Sequence, residues 1–288
     1  MSSEVIKRTS ELAAPGTLPT LQIRPPSGWL SLDLKEIWGY RELLYFLVWR
    51  DLKVRYKQTV LGAMWAIAQP LFTTLIFTLF FGKMIGVGSD GVPYPIFAYA
   101  GILPWTYFVG AISGTSNSLV GSAHLIDKVY FPRLILPLAA LGNGLVDLAV
   151  AFLFLVGMLF YYQVALTWSI LMLPVLVLLT SCLSLGIGLL ASALNVHYRD
   201  VGRLLPFVLQ LGMYATPIIY PLSRVPEQWR WLIKLNPMTG VIANYRAALF
   251  GQQFDWASLA VTAGVASIIL TSALFVFRRV EAKFADII

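Results

Sequence analysis

The sequence predicts an all-α integral membrane protein with six transmembrane helices, and three observations support this fold class. Of the 288 residues, 58% are hydrophobic and only 12% are charged, whereas about a quarter of the residues in ordinary soluble domains are charged. The mean hydropathy is +0.75. Several uncharged stretches also reach the roughly 20 residues that a helix needs to cross a bilayer core of about 30 Å.

Six stretches are long and apolar enough to be predicted as spans. The first two lie at 58–82 and within 91–123. The run 134–196 is too long for one crossing and contains one charged residue, Asp147, so we divide it at a turn over 161–168 into the third and fourth spans. The fifth span is predicted at 204–223 and the sixth at 256–277.

The distribution of Lys and Arg predicts the orientation of these spans. With a cytoplasmic N-terminus, 16 of the 21 Lys and Arg residues lie in inside segments, as the positive-inside rule requires. Both termini are therefore expected in the cytoplasm. The net charge of +7 then indicates attraction to anionic lipid headgroups rather than a nucleic-acid surface. The single Cys182 excludes an internal disulfide.

The N-terminal segments are predicted to lie outside the spans. Residues 1–32 are rich in Pro and Gly and are expected to form a mobile cytoplasmic lead. Residues 33–57 carry apolar side chains at helical spacing and predict an interfacial amphipathic helix, followed by the six-span domain at 58–288. The basic residues of this helix are Arg50, Lys53, Arg55 and Lys57. The helix serves either as a positive-inside anchor or as a contact to a moving partner.

The loop between the fifth and sixth spans carries signals for two short external helices. Pro226 suits the first turn of one helix, Asn236 and Pro237 suit the start of a second, and Gly251 suits its end after Phe250. A helix of about 13 residues is too short to cross the bilayer. It is predicted either as a re-entrant helix or as a plain amphipathic loop helix.

The sequence contains no pattern typical of an enzyme. No G-x-x-x-x-G-K-[ST] phosphate-binding loop occurs. The two histidines, His124 and His197, are not at metal-ligand spacing, and no nucleophile is paired with a base. A transporter built from these spans would need an energy source on another subunit.

Four stretches resemble one known family of transporters: WRDLKVRYKQTVLGAMWAIAQPL (49–71), HLIDKVYFPR (124–133), NVHYRDVGRLLPFVLQ (195–210) and NPMTGVIANYR (236–246). Together they resemble the membrane subunit of type-2 ABC exporters that move O-antigen, capsule or teichoic-acid polysaccharides. The resemblance covers about residue 35 to the end.

The resemblance implies a permease in the bacterial cytoplasmic membrane that pairs with a second copy of itself and with two ATP-binding subunits. ATP and Mg²⁺ would be bound by those subunits, and this chain would need no cofactor. The cargo would be a lipid-linked polysaccharide. Alternatives are a type-2 ABC exporter of a lipid or small drug, a secondary transporter, and a non-transporting membrane anchor.

The segment 124–133 interrupts the apolar sequence with charges and rings. Helix from the second span is expected to continue to about Tyr130, and Pro132 is expected in the first turn of the third span. In the resembled family this elbow is the coupling helix on the ATPase, which would involve His124, Leu125, Asp127, Lys128, Tyr130, Phe131 and Arg133. The alternative is a basic interfacial turn with snorkelling side chains.

The second cytoplasmic loop offers Arg199, Asp200 and Arg203. These residues could contact the ATPase, the interfacial helix or lipid, or they could serve only to set the topology. Neighbours such as Arg199 and Asp200 do not face each other on a helix, so a pair between them is not expected.

Two aromatic stripes with amides are candidates for the lining of a conduit. On the first span Trp65, Gln69, Phe72 and Phe80 fall on one helical face, and on the fifth span Phe207, Gln210 and Tyr214 do the same. In the resembled family these two spans border the pathway. The alternative is core packing or lipid contact. For Asp147, one turn above Asn143, a structural hydrogen bond to a neighbouring helix is favoured over a proton-relay site.

Overall fold

The computed structural model describes residues 34–57, Gly62 and 64–281 of the chain. Within these ranges the regular structure is helical and contains no strand, in agreement with the all-α prediction. The predicted lead 1–32 and the first residues of the predicted first span lie outside the described ranges. So does the C-terminal segment 282–288.

Five described helical segments are long and apolar enough to cross a membrane. In chain order the α-helices within or beside them are α1 Leu34–Gly39, α2 Arg41–Lys57, α3 Met64–Phe77, α4 Tyr94–Gly121, α5 Ala123–Lys128, α6 Ile135–Tyr161 and α7 Leu173–His197. They are followed by α8 Asp200–Tyr214, α9 Glu227–Leu235, α10 Pro237–Phe250 and α11 Trp256–Glu281. A π-helix, Thr78–Met84, extends α3, and a 3-10 helix, Trp168–Met172, precedes α7. The five candidate spans are α3 with its π-helical extension, α4, α6, α7 with its 3-10 turn, and α11.

Helix α4 is the centre of the bundle. In its most apolar window 78% of the residues are buried, compared with 17% for α3. The contact of α4 with α7 is close because α7 carries Gly188 there: a Cβ at this position would lie 2.6 Å from the Cβ of Thr115. Absence of a side chain thus sets the spacing between these two helices, as small residues commonly do between membrane helices.

The predicted fifth span is not a single helix. Helix α8 begins at Asp200 and ends at Tyr214, so its 15 residues extend only about 22 Å at 1.5 Å per residue. Residues 215–220 form turns instead of continuing the helix. The prediction of a helical span over 204–223 is therefore wrong in its second half, and six crossings are not confirmed.

The connection between α4 and α6 also differs from the prediction of one continuous helix to about Tyr130. Helix α4 ends at Gly121, Ser122 leaves the helical conformation, and the six residues of α5 follow. The chain is extended at Val129. Pro132 precedes α6 instead of lying in its first turn, because α6 begins only at Ile135. The backbone N–H of Ile135 donates to the carbonyl oxygen of Pro132.

The second short helix after α8, α10, has the predicted boundaries, whereas Pro226 precedes α9 instead of lying in its first turn. The side-chain oxygen of Asn236 accepts from the backbone N–H of Met238 at the start of α10, and Pro237 is the first helical residue. Gly251 ends α10 in the left-handed conformation with a φ of 64°, which glycine adopts without the steric cost of a Cβ. Helix α9 begins directly after Pro226.

Candidate functional site

A cavity of about 1130 Å³ lies between α2, α3, α4, α6 and α8. Its wall includes Trp65 and Gln69 of α3, Trp105 and Tyr107 of α4, and Gln210 of α8. Three of the residues predicted for a conduit thus line one cavity. Aromatic surfaces beside a few hydrogen-bonding groups are typical of ligand-binding cavities, and this lining offers both.

The other predicted conduit residues lie on the outside of the single chain. Phe72, Phe80, Phe207 and Tyr214 are each more than half exposed. Phe80 belongs to the π-helix Thr78–Met84, so the α-helical spacing used for the stripe does not hold at that residue. The two aromatic stripes therefore form an unburied apolar surface along α3 and α8 in addition to the cavity wall.

The α2 side of the cavity contains a polar contact to α6. Arg55 pairs with Asp147 at 2.6 Å between Nη1 and Oδ2. The Tyr56 hydroxyl donates to the other oxygen of the same carboxylate, and burial, together with this hydrogen bond, raises the pKa of Tyr56. One turn earlier, Asn143 donates to Asp51 at 3.2 Å. Asp147 thus makes the interhelical hydrogen bond that was favoured for it, and its partners lie on α2.

Helix α2 has the predicted buried face but a less polar opposite face. Leu47 is buried, with 1% of its surface exposed, and Val48 lies against Gly142 of α6. Lys53 and Lys57 are exposed, whereas Arg50 pairs with Asp51 and Arg55 with Asp147. The opposite face also exposes large apolar side chains, namely Tyr45, Phe46, Trp49 and Val54. Basic residues alone do not form that face.

The predicted coupling segment divides into exposed and buried residues. His124, Lys128 and Tyr130 are exposed, and Leu125 is half-buried. Phe131 is 5% exposed, so its ring packs within its own chain and is not presented to a partner as the sequence analysis expected. For Asp127 only the helical backbone is described.

Arg133, the last residue of the predicted coupling segment, is tied to the end of α11. Its backbone N–H donates to Glu281 Oε1 at 3.1 Å, and its guanidinium donates to the Glu281 carbonyl oxygen. Arg278 also reaches the Glu281 carboxylate, at 3.3 Å. The start of α6 and the end of α11 are therefore held together beside α5.

In the second loop Asp200 pairs with Arg203 and not with its neighbour Arg199. Arg203 lies 3.8 Å from Asp200, and more than four-fifths of each side chain is exposed. Exposed pairs of this kind contribute about 0–1 kcal/mol. Arg199 is exposed as well. The three predicted residues thus form an accessible charged surface at the start of α8.

One residue just before this loop was not singled out by the sequence analysis. The amide of Asn195, on the last turn of α7, is 3% exposed. It donates to the Ser116 carbonyl oxygen at 3.1 Å and to Asn117 Oδ1 at 3.2 Å, and it accepts from the Gly202 backbone N–H at 3.0 Å. A polar side chain in the last turn of an apolar helix was the available signal.

Arg246 is a second residue whose role the sequence analysis did not predict. It is 6% exposed. Its guanidinium donates to the carbonyl oxygens of Pro217 at 2.8 Å, Ile218 at 2.6 Å and Phe97 at 3.2 Å, and it lies 3.5 Å from the centre of the Phe97 ring. Arg246 therefore satisfies carbonyl groups that the chain leaves free where α8 ends. Its position within an otherwise uncharged helix was the signal.

A third polar cluster joins α9, α10 and α11. Asp255 accepts from Lys234 at 2.7 Å and from Ser258 Oγ at 2.8 Å, and its backbone N–H donates to Asn244 Oδ1 at 3.0 Å. Burial would raise the pKa of the Asp255 carboxyl, but the hydrogen bonds from Lys234 and Ser258 outweigh burial and hold the pKa below its ordinary value. The cluster fixes the start of α11.

The family model described as "ABC-2 type transporter" matches residues 42–250 of the chain. This range covers the helices that line the cavity and both loops with the predicted coupling residues. The chain belongs to the ABC-2 type transporter family. The family predicted from the four sequence stretches is thus confirmed.

The relatives of this ABC-2 transporter chain include exporters of surface polysaccharides. It is 29% identical to the O-antigen export system permease protein RfbA of Klebsiella pneumoniae, over 90% of this chain and all of the relative. It is 29% identical to the RfbA protein of Myxococcus xanthus, over 88% of this chain and 98% of the relative. The polysialic acid transport protein KpsM of Escherichia coli is 27% identical over 69% of this chain and 78% of the relative.

The described part of this ABC-2 transporter offers no cluster of metal ligands. No group of three or more His, Cys, Asp or Glu residues within those ranges is arranged to hold a metal ion. Cys182 is a free thiol within α7.

Proposed function

We propose that this chain is the permease subunit of an ATP-driven exporter that moves a lipid-linked polysaccharide of the O-antigen or capsule type across the bacterial cytoplasmic membrane. The observation that carries the proposal is the similarity to O-antigen export permeases over 90% of the chain. The cavity between α2, α3, α4, α6 and α8 supports it, because its rings and amides suit the apolar faces and hydroxyl edges of sugars. The chain itself performs no covalent chemistry.

The energy for export comes from a separate ATP-binding subunit. The sequence has no phosphate-binding loop, and the family is that of a transporter's membrane domain. Exposed side chains lie at one end of the bundle in both loops, namely His124, Lys128 and Tyr130 in the first and Arg199, Asp200 and Arg203 in the second. Tyr130, which is 59% exposed, is the aromatic side chain of the first loop that is available to a partner, since Phe131 is buried. ATP and Mg²⁺ are bound by the partner.

The functional unit contains two copies of the chain. Along α3 and α8, Phe72, Leu75, Phe207 and Leu211 are each more than half exposed. Apolar surface of this extent marks a contact with lipid or with another protein. The same two helices contribute Trp65, Gln69 and Gln210 to the cavity. Pairing through α3 and α8 therefore places two such cavities beside one interface, which the conduit requires.

The polar residues suggest how the bundle lies in the bilayer. From Asn143 to Tyr161, α6 rises about 27 Å, close to the thickness of a hydrocarbon core of about 30 Å. Helix α2, which contacts Asn143 and Asp147, then lies at the cytoplasmic boundary. The end of α4, the start of α6 and the helix α5 between them then extend beyond this boundary into the cytoplasm. Both termini lie on the same cytoplasmic side. Asp147 belongs to the boundary and not to the membrane centre.

Deletion of the gene and reconstitution of the complex test this function. Cells that lack the permease should accumulate lipid-linked glycan on the inner face of the cytoplasmic membrane, and the wild-type gene should restore export. The purified permease should contain an ATP-binding subunit at equal stoichiometry, and the lipid-linked glycan should stimulate its ATP hydrolysis. Stimulation by a phospholipid or small drug alone, with normal glycan export in the deletion strain, would support the alternative cargo and refute the proposal.

A further inference from the structure

The amide side chain of Asn195 lies between three helices. It belongs to the last turn of α7, donates to the Ser116 carbonyl oxygen and the Asn117 side chain of α4, and accepts from the Gly202 backbone N–H of α8. The three distances lie between 3.0 and 3.2 Å. Since 3% of Asn195 is exposed, its bond to the buried Ser116 carbonyl oxygen is worth more than it would be at the surface, whereas its bond to Asn117 reaches an exposed side chain.

Asn195 supplies the cap that α8 lacks locally. The first backbone N–H groups of a helix have no partner within the helix, and the residue at the usual capping position of α8, Arg199, makes no side-chain capping bond. The Gly202 N–H is one of those groups, and Asn195 accepts it from seven residues earlier in the chain. The start of α8 is thus attached to α7 and α4 by one side chain.

The space around the Asn195 amide is filled. A Cβ at Gly202 would lie 2.9 Å from Asn117 Oδ1 and 3.0 Å from Asn195 Oδ1. The first distance is shorter than real Cβ contacts and the second is tighter than most, so one methyl group would displace the Asn117 amide and crowd the Asn195 amide. The Asn117 and Asn195 amides and the start of α8 are therefore in direct contact, so a displacement of α4 at Asn117 acts on both.

The position of this contact connects two surfaces that the proposed function uses. Asn117 lies in the last turns of α4, just before Ser122 and the exposed helix α5. Gly202 lies at the start of α8, the helix that carries Gln210 into the cavity wall. The helices α4 and α8 also pack against each other, with Trp105 beside Gly212, but among the described side chains Asn195 is the one whose hydrogen bonds reach both helices.

We propose that Asn195 is the positioning residue through which a displacement of α5 is passed from α4 to α8. The inference rests on the proposed function, because it needs a partner that moves α5. Nucleotide-driven motion of α5 shifts the end of α4, the Asn195 amide transfers the shift to the Gly202 N–H, and α8 then moves relative to the cavity. Without the amide, α5 still responds to the partner, but α8 does not follow.

The test is the amount of glycan exported per ATP hydrolysed by the assembled complex with Asn195→Ala. We expect glycan-stimulated ATP hydrolysis to stay within about twofold of wild type and export to fall about tenfold, a typical size for energetic coupling between two sites. Asn117→Ala, which removes one of the three bonds, should lower the ratio less. The two substitutions together should cost less than the product of their single effects, because they break one shared contact.

Asn244→Ala is the matched control. Asn244 is fully buried, donates twice and accepts once, and ties α10 to the start of α11 at the opposite end of the bundle. If loss of a buried amide acts only through stability, both variants reduce the amount of complex and leave the export-to-hydrolysis ratio unchanged. An unchanged ratio in Asn195→Ala, or an equal fall in Asn244→Ala, overturns the inference.

A second variant keeps the test decisive if Asn195→Ala does not assemble. Gly202→Ala retains the Asn195 side chain but forces the amides apart, and we expect the same loss of export per ATP. An unchanged ratio with Gly202→Ala refutes the inference. Failure of the wild-type complex to export glycan would instead refute the proposed function, so the two failures can be told apart.

Discussion

Arg246 and Arg55 are two arginines with opposite surroundings. Arg246 is 6% exposed, and the acceptors of its guanidinium are backbone carbonyl oxygens of α4 and of the turn after α8. Arg55 is about half exposed and pairs with the carboxylate of Asp147. The contacts of Arg246 join α10 to α4 and to the turn after α8, at the end of the bundle where α10 lies (the α10 end). The contact of Arg55 joins α2 to α6, nearer the end of the bundle where α5 lies.

The difference teaches which end of the molecule can rearrange. Carbonyl oxygens are fixed in the backbone, and those of Pro217 and Ile218 would be buried without partners if Arg246 left, at a cost of about 1–3 kcal/mol each. The ion pair of Arg55 is accessible to water, which can replace either partner, so its net contribution is about 1 kcal/mol or less. We infer a fixed α10 end and a separable contact between α2 and α6.

The largest expected effect follows from removing Arg246. Arg246→Met keeps much of the volume but leaves the carbonyl oxygens of Pro217 and Ile218, which lie outside any helix, without their donor. We expect a loss of about 3 kcal/mol or more in the free energy of unfolding, from the unsatisfied acceptors, measured as a fall in the thermal midpoint of the purified protein. The control is Arg224→Met, at an exposed position, which should change the free energy by about 0.5 kcal/mol or less. Equal midpoints in the two variants would contradict a fixed α10 end.

A smaller loss is expected when Arg246 stays and its surroundings are crowded. A Cβ at Gly101 would lie 2.6 Å from Arg246 Nη2 and 3.3 Å from the Ile218 carbonyl oxygen. Gly101→Ala should therefore destabilise the protein by about 1–3 kcal/mol, as overpacking does. Gly110→Ala on the same helix meets no atom within 4 Å and should be neutral or stabilise by up to about 1 kcal/mol. The thermal midpoint is measured for both variants. A lower midpoint for Gly110→Ala with an unchanged midpoint for Gly101→Ala would contradict the crowding of Arg246 at Gly101.

The fold was predictable from sequence where a single chemical rule decides the structure. Length and hydropathy predict α4, α6, α7 and α11, and the turn over 161–168 separates the third and fourth spans as expected. Asn236 and Gly251 predict the ends of α10 because capping depends on neighbouring residues. The family could be identified from four short stretches for a similar reason, since each is continuous in sequence.

The remainder depended on contacts between distant parts of the chain. Hydropathy extends the fifth span to residue 223, but α8 stops at Tyr214, shortly before Pro217, which disfavours a helical conformation at the residue before it. Arg246 and the Tyr94 hydroxyl then satisfy carbonyl oxygens of the turn that follows. The partners of Asp147 lie 91 and 92 positions away. Burial of Phe131 likewise depends on packing that a loop sequence does not display. The roles of the coupling and conduit residues stay predictions.

The contact between α2 and α6 should be separable without unfolding the bundle. Asp147→Asn removes the charge that holds Arg55, and we expect the free energy of global unfolding to change by about 1 kcal/mol or less. Amide hydrogen exchange in α2 should nevertheless become about fivefold faster, because local opening no longer breaks the ion pair. The exchanged pair Arg55→Asp with Asp147→Arg should restore slow exchange. Unchanged exchange in Asp147→Asn would show that the apolar packing around Leu47 and the bond between Asn143 and Asp51 hold α2 without the ion pair.

The smallest effect at neutral pH, and the one most specific to the α10 end, concerns the Asp255 carboxyl. Its pKa is lower in the folded protein than its ordinary value, so the folded state binds fewer protons and is stabilised above that value. The contribution is lost as the pH falls from about 4 through the folded pKa. Asp255→Asn should therefore lower the thermal midpoint at pH 7, and the gap from wild type should close below about pH 4. Lys234→Gln removes the charged donor at 2.7 Å from the carboxylate. In a Lys234→Gln background, Asp255→Asn should therefore lower the thermal midpoint at pH 7 by less than it does in the wild type. A gap that stays constant from pH 7 to pH 3 would mean that the carboxylate charge contributes nothing to holding α9 and α11 together.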